Sequence, residues 1–240
     1  MKSKWYLWQC AFECLLVTTL FPLEATASGL QVSPVSLTLQ ATQNADGIWL
    51  SNAGEKEVNA QVRVYRWSQS NFSDIMSPSQ GLVISPPILA VKPGERQLIR
   101  VIRTRPASGE VEDAYRLSIN ELPLVSRGHN KLQFVVHYSL PVFIQPDVPE
   151  PISTKLRWTV SRIGKGIFVD VYNQGNSHAQ LSAATLIDSS GLRLVISPGL
   201  LGYVLPGSTM RWILPTSVSN SIHGVKLEVT INGKKTEQNL

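Results

Sequence analysis

Seven apolar side chains recur at every second position of KLQFVVHYSLPVFIQP, residues 131–146: Leu132, Phe134, Val136, Tyr138, Leu140, Val142 and Ile144. That period belongs to an extended strand, whose successive side chains point to opposite faces. The other face, Gln133, Val135, His137, Ser139, Pro141, Phe143 and Gln145, is mixed, as in an antiparallel sheet with one side on a core. The run is longer than the usual strand of about five to six residues. Pro141 removes a ladder donor within it and favours a sheet edge. A long apolar edge strand invites pairing with another chain, so either a neighbour covers this one or such pairing is its purpose.

The first residues stand outside the fold. Lys2 and Lys4 precede an apolar run from Trp5 to Leu23, and Ala25-Thr26-Ala27 supplies small residues at the spacing of a cleavage site. Residues 1–27 therefore read as a secretory signal removed after Ala27. The other reading is an uncleaved anchor, which Glu13 inside the run weakens. Cys10 and Cys14 are the only cysteines and both lie here. The exported chain would carry no thiol, which excludes disulfides, zinc thiolate sites and cysteine nucleophiles. Its core alone must hold it together, and roughly 210 residues are ample for two cores of ordinary size.

Removing the signal leaves the net charge of +5 unchanged, because Lys2 and Lys4 balance Glu13 and Glu24. No block of Lys or Arg is present, so no nucleic-acid partner is expected. The basic balance serves solubility and meeting an acidic partner.

From Leu30 the chain reads as strand after strand. LQVSPVSLTLQ alternates at Val32, Val35, Leu37 and Leu39, and Asp46-Gly47 suggests a tight hairpin. GIWLSNAG and VNAQVRVYRW read as a hairpin around Asn52-Ala53-Gly54. A polar interval at Ser68–Gln80 leads to GLVISPPILAVKPGERQLIRVIRT. There Pro86-Pro87 marks an edge or a break, and Lys92-Pro93-Gly94-Glu95 is a turn. YRLSINEL at 115–122 is a further strand. About seven short strands with regular turn signals and no helical period argue for an immunoglobulin-like sandwich.

The three prolines of Gln145–Pro151 mark a stiff linker. Beyond it the strand pattern restarts: LRWTVSR, GIFVDVYNQG, HAQLSAATLID, GLRLVI, LLGYVLPGS, TMRWIL and VKLEVTING. The second half echoes the first: VYNQGNSHAQL has the layout of WLSNAGEKEVNAQV, and Pro206-Gly207-Ser208 answers Pro93-Gly94-Glu95. The expected architecture is all-β, with two immunoglobulin-like β-sandwich domains in tandem over 28–146 and 147–240.

No catalytic constellation emerges. His129, His137, His178 and His223 have no metal-ligand spacing. No Gly-x-Ser-x-Gly is present, and Glu110, Glu112 and Asp113 read as a solvated acidic turn. Neither an enzyme nor a cofactor is expected.

Five segments in order are similar to the PapD-like periplasmic chaperones of chaperone-usher pilus systems. They are ISPPILAVKPGERQLIRVIRT (84–104), YRLSINELP (115–123), KLQFVVHYSLPVFIQP (131–146), NQGNSHAQL and GYVLPGS. The resemblance implies a periplasmic chaperone that binds pilin-type subunits lacking their last strand. It would lend them its long strand, without ATP, and deliver them to an outer-membrane usher. Aligned on VFIQP, the lent side chains are Leu132, Phe134 and Val136, with Tyr138 next in phase.

Many members hold the subunit's terminal carboxylate with an arginine in the first strand and a lysine in the last. The matching positions here, near Val35-Ser36 and at Pro141, are not basic, which resembles the archaic, spore-coat-U-like branch. The basic candidates for a charge-assisted anchor are Arg100 first, then Arg116, with Arg103 third. Self-association is one way in which the free chaperone could cover this edge. A secreted immunoglobulin-like adhesion or structural subunit is the alternative reading.

Overall fold

The computed structural model describes residues 29–106, 109–123, 135–188, 191–214 and 225–240. The signal segment, His129, His223, Leu132 and Phe134 lie outside the described residues. Every regular element described is a strand: β1 (Leu30–Ser33), β2 (Leu37–Leu39), β3 (Ala45–Asn52), β4 (Val58–Ser70), β5 (Ser73–Pro78), β6 (Leu82–Ser85), β7 (Ile88–Val91), β8 (Arg96–Arg103), β9 (Asp113–Leu122) and β10 (His137–Ile144) precede the linker. After it come β11 (Leu156–Ile163), β12 (Gly166–Asn173), β13 (Ala179–Ile187), β14 (Arg193–Val204), β15 (Thr209–Leu214), β16 (Lys226–Ile231) and β17 (Lys234–Asn239).

In the first sandwich the order β1-β3-β8-β6 faces the order β2-β10-β9-β4-β5, with β7 also pairing with β4. In the second, β11-β12-β15 faces β14-β13-β16-β17. Each pair of sheets closes on its own apolar core, around Leu39, Ile48, Val101 and Leu117 in the first and Val171, Leu181 and Leu227 in the second. The chain thus folds as two immunoglobulin-like sandwiches.

Proline marks where strands change sheets. β6 pairs with β8 in one sheet and β7 with β4 in the other, and Pro86-Pro87 lies between them. Pro34 lies likewise between β1, on β3, and β2, on β10. A residue without an N–H cannot continue the ladder, so the chain turns away there.

Four local expectations are corrected. GIWLSNAG and VNAQVRVYRW form no hairpin, since β3 and β4 lie in different sheets. Asp46-Gly47 is no turn but part of β3; Gly47 faces Leu98, whose Cδ1 would be 2.5 Å from an added Cβ. The polar interval at 68–80 contains β5, the return strand of a hairpin with β4. In the second sandwich GLRLVI and LLGYVLPGS join in one bulged strand, β14, and β17 adds an unforeseen hairpin arm to β16.

The internal echo has a physical basis, because Asn52 and Asn173 are buried in corresponding networks, Asn173 accepting one further bond from the Lys155 amide at 3.4 Å. The Asn52 side-chain amide donates to the Lys56 and Val91 carbonyls at 2.7 and 2.9 Å, while its oxygen accepts from the Gly54 amide at 2.9 Å. Asn173 donates to Ser177 and Val204 at 2.8 and 3.0 Å and accepts from Gly175 at 3.0 Å. The Pro-Gly turns close on the same residues: the amides of Gly94 and Gly207 donate to the Asn52 and Asn173 carbonyls, both at 2.8 Å. Asn52→Ala should leave those buried groups unpaired and cost about 2–3 kcal/mol, measurable as a lower urea midpoint; an unchanged midpoint would refute this role.

Candidate functional site

β10 is antiparallel to β9 along its whole length, from His137↔Asn120 to Ile144↔Asp113. On its other side β2 runs parallel to it only over Val142–Ile144. One step beyond β10 the pairing with β9 continues, the Glu121 amide donating to the Val136 carbonyl at 2.9 Å and the Val136 amide to the Glu121 carboxylate at 3.0 Å. Bonding groups alternate along an antiparallel strand, so even positions turn their backbone towards β9 and odd positions turn away. Consistent with this, the Gln145 amide donates to Leu39 in β2 at 2.9 Å. His137, Ser139 and Pro141 therefore present their backbone on the side that β2 does not cover. The missing N–H of Pro141 falls on this open side, just before β2 takes over, which is why a proline is tolerated inside the strand.

The apolar phase divides along the strand. Leu140, Val142 and Ile144 lie in the first core. Tyr138 packs against that core, and its hydroxyl donates to the Leu30 carbonyl at 2.7 Å. Val136 is half-buried and Val135 exposed. The strand's own sandwich thus claims it from Tyr138 onwards.

Arg116 stands on β9 opposite Pro141, where the open edge meets the second sandwich. Its neighbours Tyr115 and Leu117 are buried in the core, so Arg116 points to the outer face of the sheet. The guanidinium lies 3.8 Å over the Trp67 ring and 5.3 Å from the Tyr203 ring centroid. Nη1 makes a long contact of 3.4 Å with the Ser139 carbonyl, whereas Nε is buried with no hydrogen-bond partner. No carboxylate pairs with Arg116 among the described residues. Burial lowers its pKa from the ordinary arginine value, opposed by Tyr203 and Asp74; an arginine stays cationic at neutral pH all the same.

The other two basic candidates lie elsewhere. Arg100 is exposed on β8 between buried Ile99 and Val101, on the outer face of the opposite sheet. Arg103 ties down a loop, its Nη1 donating to the Ala41 carbonyl at 2.6 Å and its Nη2 to Asn44 Oδ1 at 3.2 Å. The three arginines are not brought together.

Sequence reasoning missed the joint between the sandwiches. Trp67, Ala114 and Phe143 from the first and Tyr203 and Leu205 from the second form a buried cluster. Gln69 spans it, its Nε2 donating to the Tyr203 carbonyl at 2.9 Å and its Oε1 accepting from the Leu205 amide at 2.8 Å. Glu112, read as part of a solvated turn, is instead buried at 5 % exposure. It accepts from the Ser177 hydroxyl and the His178 amide, both at 3.1 Å, and contacts His178 Nδ1 at 2.6 Å. The His178 ring stacks on Phe143 at 3.6 Å. One signal was available: Phe143 is an aromatic on the mixed face of its strand, where burial needs a second partner.

Glu112→Ala should orphan three groups and uncouple the two sandwiches at a cost of about 1–3 kcal/mol. Calorimetry should then resolve two unfolding transitions where the parent shows more cooperative unfolding. An unaltered transition would show that Glu112 does not hold the joint.

Comparison with solved structures finds the same two-sandwich architecture in other chains. The chain matches a chaperone–tip adhesion subunit pre-assembly complex, CsuC–CsuE, from the archaic chaperone-usher Csu pili of Acinetobacter baumannii. The TM-score is 0.70 at 24 % identity, over 87 % of this chain and 96 % of the other. It matches the E. coli chaperone DraB with TM-score 0.62 at 17 % identity, over 89 % and 98 % of the two chains. The Salmonella enterica SafA pilin–SafB chaperone complex matches with TM-score 0.63 at 16 % identity, over 90 % and 98 %. These similarities carry the fold. No curated protein sequence matches the chain. Residues 29–149, half of the chain, match the family model described as pili and flagellar-assembly chaperone, PapD N-terminal domain, and the chain belongs to that family of pilus-assembly chaperones.

Proposed function

We propose that this chaperone holds pilus subunits in the periplasm by lending them the edge of β10 and the residues leading into it, and then delivers them to an outer-membrane usher. The observation that carries the reading is the edge that, among the described residues, is left uncovered from Pro141 towards Val136 and starts beside an arginine with no paired carboxylate. A subunit whose terminal carboxylate rests at Arg116 could run along this edge, each chain satisfying the other's unpaired backbone groups. From Pro141 to Val135 the edge spans about 20 Å at ~3.4 Å per residue. Leu132, Phe134 and Val136 would enter the subunit's groove. Tyr138, already bonded to Leu30, would mark the boundary between lent and retained strand. Arg116, rather than Arg100 or Arg103, would be the anchor, because it alone of the three adjoins the edge.

In the same reading residues 1–27 are removed on export, residues 28–146 hold the subunit and residues 147–240 form the companion domain.

Amide exchange tests the pairing. In the free chaperone the Tyr138 and Leu140 amides should be protected by β9, while those of His137 and Ser139 exchange fast. Binding a co-expressed pilus subunit should slow His137 and Ser139 by at least about 100-fold, as expected when exposed amides enter a stable ladder. Unaltered exchange at both positions in the complex would refute strand lending.

A further inference from the structure

Arginines held in protein clefts are usually neutralised by a carboxylate, as elsewhere in this chain. Arg66 pairs with Asp113 at 2.6 Å, and Arg211 is gripped by both oxygens of Asp170 at 2.7 Å. Arg116 departs from that pattern, since aromatic faces hold it and, among the described residues, no carboxylate pairs with it. The Trp67 indole is fixed in turn, its Nε1 donating to Asp74 Oδ1 at 2.9 Å. The same oxygen accepts from Gln69 Nε2 at 2.9 Å, and Gln69 grips the backbone of Tyr203 and Leu205 in the second sandwich. Tyr203 stands edge-on to Trp67, with centroids 5.3 Å apart and planes at 81°, and its hydroxyl accepts from Gln180 Nε2 at 2.8 Å. The guanidinium sits in the corner between one ring from each sandwich.

Such a corner has a chemical consequence. Ring faces attract a cation and fix its plane without occupying its N–H donors. An internal carboxylate would hold it more tightly, but an incoming carboxylate would then have to displace that partner. We propose that Tyr203 is a positioning residue for the carboxylate anchor, so that the anion site is shared between the two domains and complete only when they are docked. This rests on the reading of Arg116 as the anchor. The second domain is then part of the subunit site rather than a passive support, and its ligand is a chain-terminal carboxylate.

The test uses acetate as the probe on the whole ¹⁵N-labelled chaperone. The Arg116 Nε–H resonance, identified by its loss in Arg116→Lys, is followed against acetate and against chloride at matched ionic strength. The expected result is a saturable shift with acetate only. Tyr203→Leu should weaken it about tenfold, the scale of one desolvated cation–π contact, whereas Tyr203→Phe, which keeps the ring and loses only the Gln180 bond, should retain it. Melting curves of each variant track folding separately.

Tyr203→Leu saturating at the wild-type acetate concentration would overturn the role of Tyr203 and leave the anchor standing. A wild-type resonance that responds no differently to acetate than to chloride would overturn the anchor itself, and this proposal with it.

Discussion

Phe134→Asp combined with Val136→Asp is expected to abolish recovery of pilus subunits while the chaperone stays folded. Burying a Phe or Val side chain contributes about 1.5–3 kcal/mol, so losing two removes about 3–6 kcal/mol from the complex. Two carboxylates facing an apolar groove would add a desolvation penalty. Capture should therefore fall by at least about 100-fold. The variant's own stability should change little, because Val136 is not among the residues packed in or against the first core, and the core-facing positions of the strand are untouched. Co-purification of subunit with tagged chaperone, beside urea melts of the free variant, reads both quantities. Normal subunit recovery would end the strand-lending account.

Arg116→Ala carries the second large effect. Removing one member of a desolvated charge pair costs about 2–5 kcal/mol, and we expect capture to weaken about 100- to 1,000-fold. Little stability should be lost, because among the described residues no ion pair is broken and only the contacts with Trp67, Tyr203 and the Ser139 carbonyl disappear. Arg100→Ala supplies the comparison. That side chain lies on the outer face of the opposite sheet, so its removal should leave capture at the wild-type level. Equilibrium binding of a purified subunit to each variant decides between them. Weakening by Arg100→Ala with none by Arg116→Ala would move the anchor to β8.

Legibility in the sequence followed the range of the interaction concerned. Alternation at Leu140, Val142 and Ile144 is a local signal, and those residues lie in the core it implied. Pro86 and Pro87 act through the absence of an N–H, which is also local, and the strands part there; Pro34 likewise parts β1 from β2 within the stretch that alternation alone joins. Asn-x-Gly and Pro-Gly recurred in both halves because each half closes on the same asparagine network. The false hairpin at 47–67 has the complementary cause. A turn dipeptide and two flanking strands are compatible with either a hairpin or a crossing between sheets, and only the partners β8 and β9 distinguish them.

Period-two patterning by itself showed that this chain is built of strands, and the repeated Asn-x-Gly and Pro-Gly signals showed two similar halves; the edge that Pro141 implied holds only before Val142, because β2 pairs with β10 over Val142–Ile144. Composition and periodicity suffice for this, because a strand's faces are set residue by residue. Which arginine stands at that edge was decided only by tertiary structure. Trp67, Arg116 and Tyr203 come from three distant parts of the chain and meet because the second sandwich packs on the outer face of the first. Docking likewise turned Glu112 from a turn residue into a buried acceptor for Ser177 and His178. Charge and burial at such positions belong to the assembled joint, and no segment of the chain carries them alone.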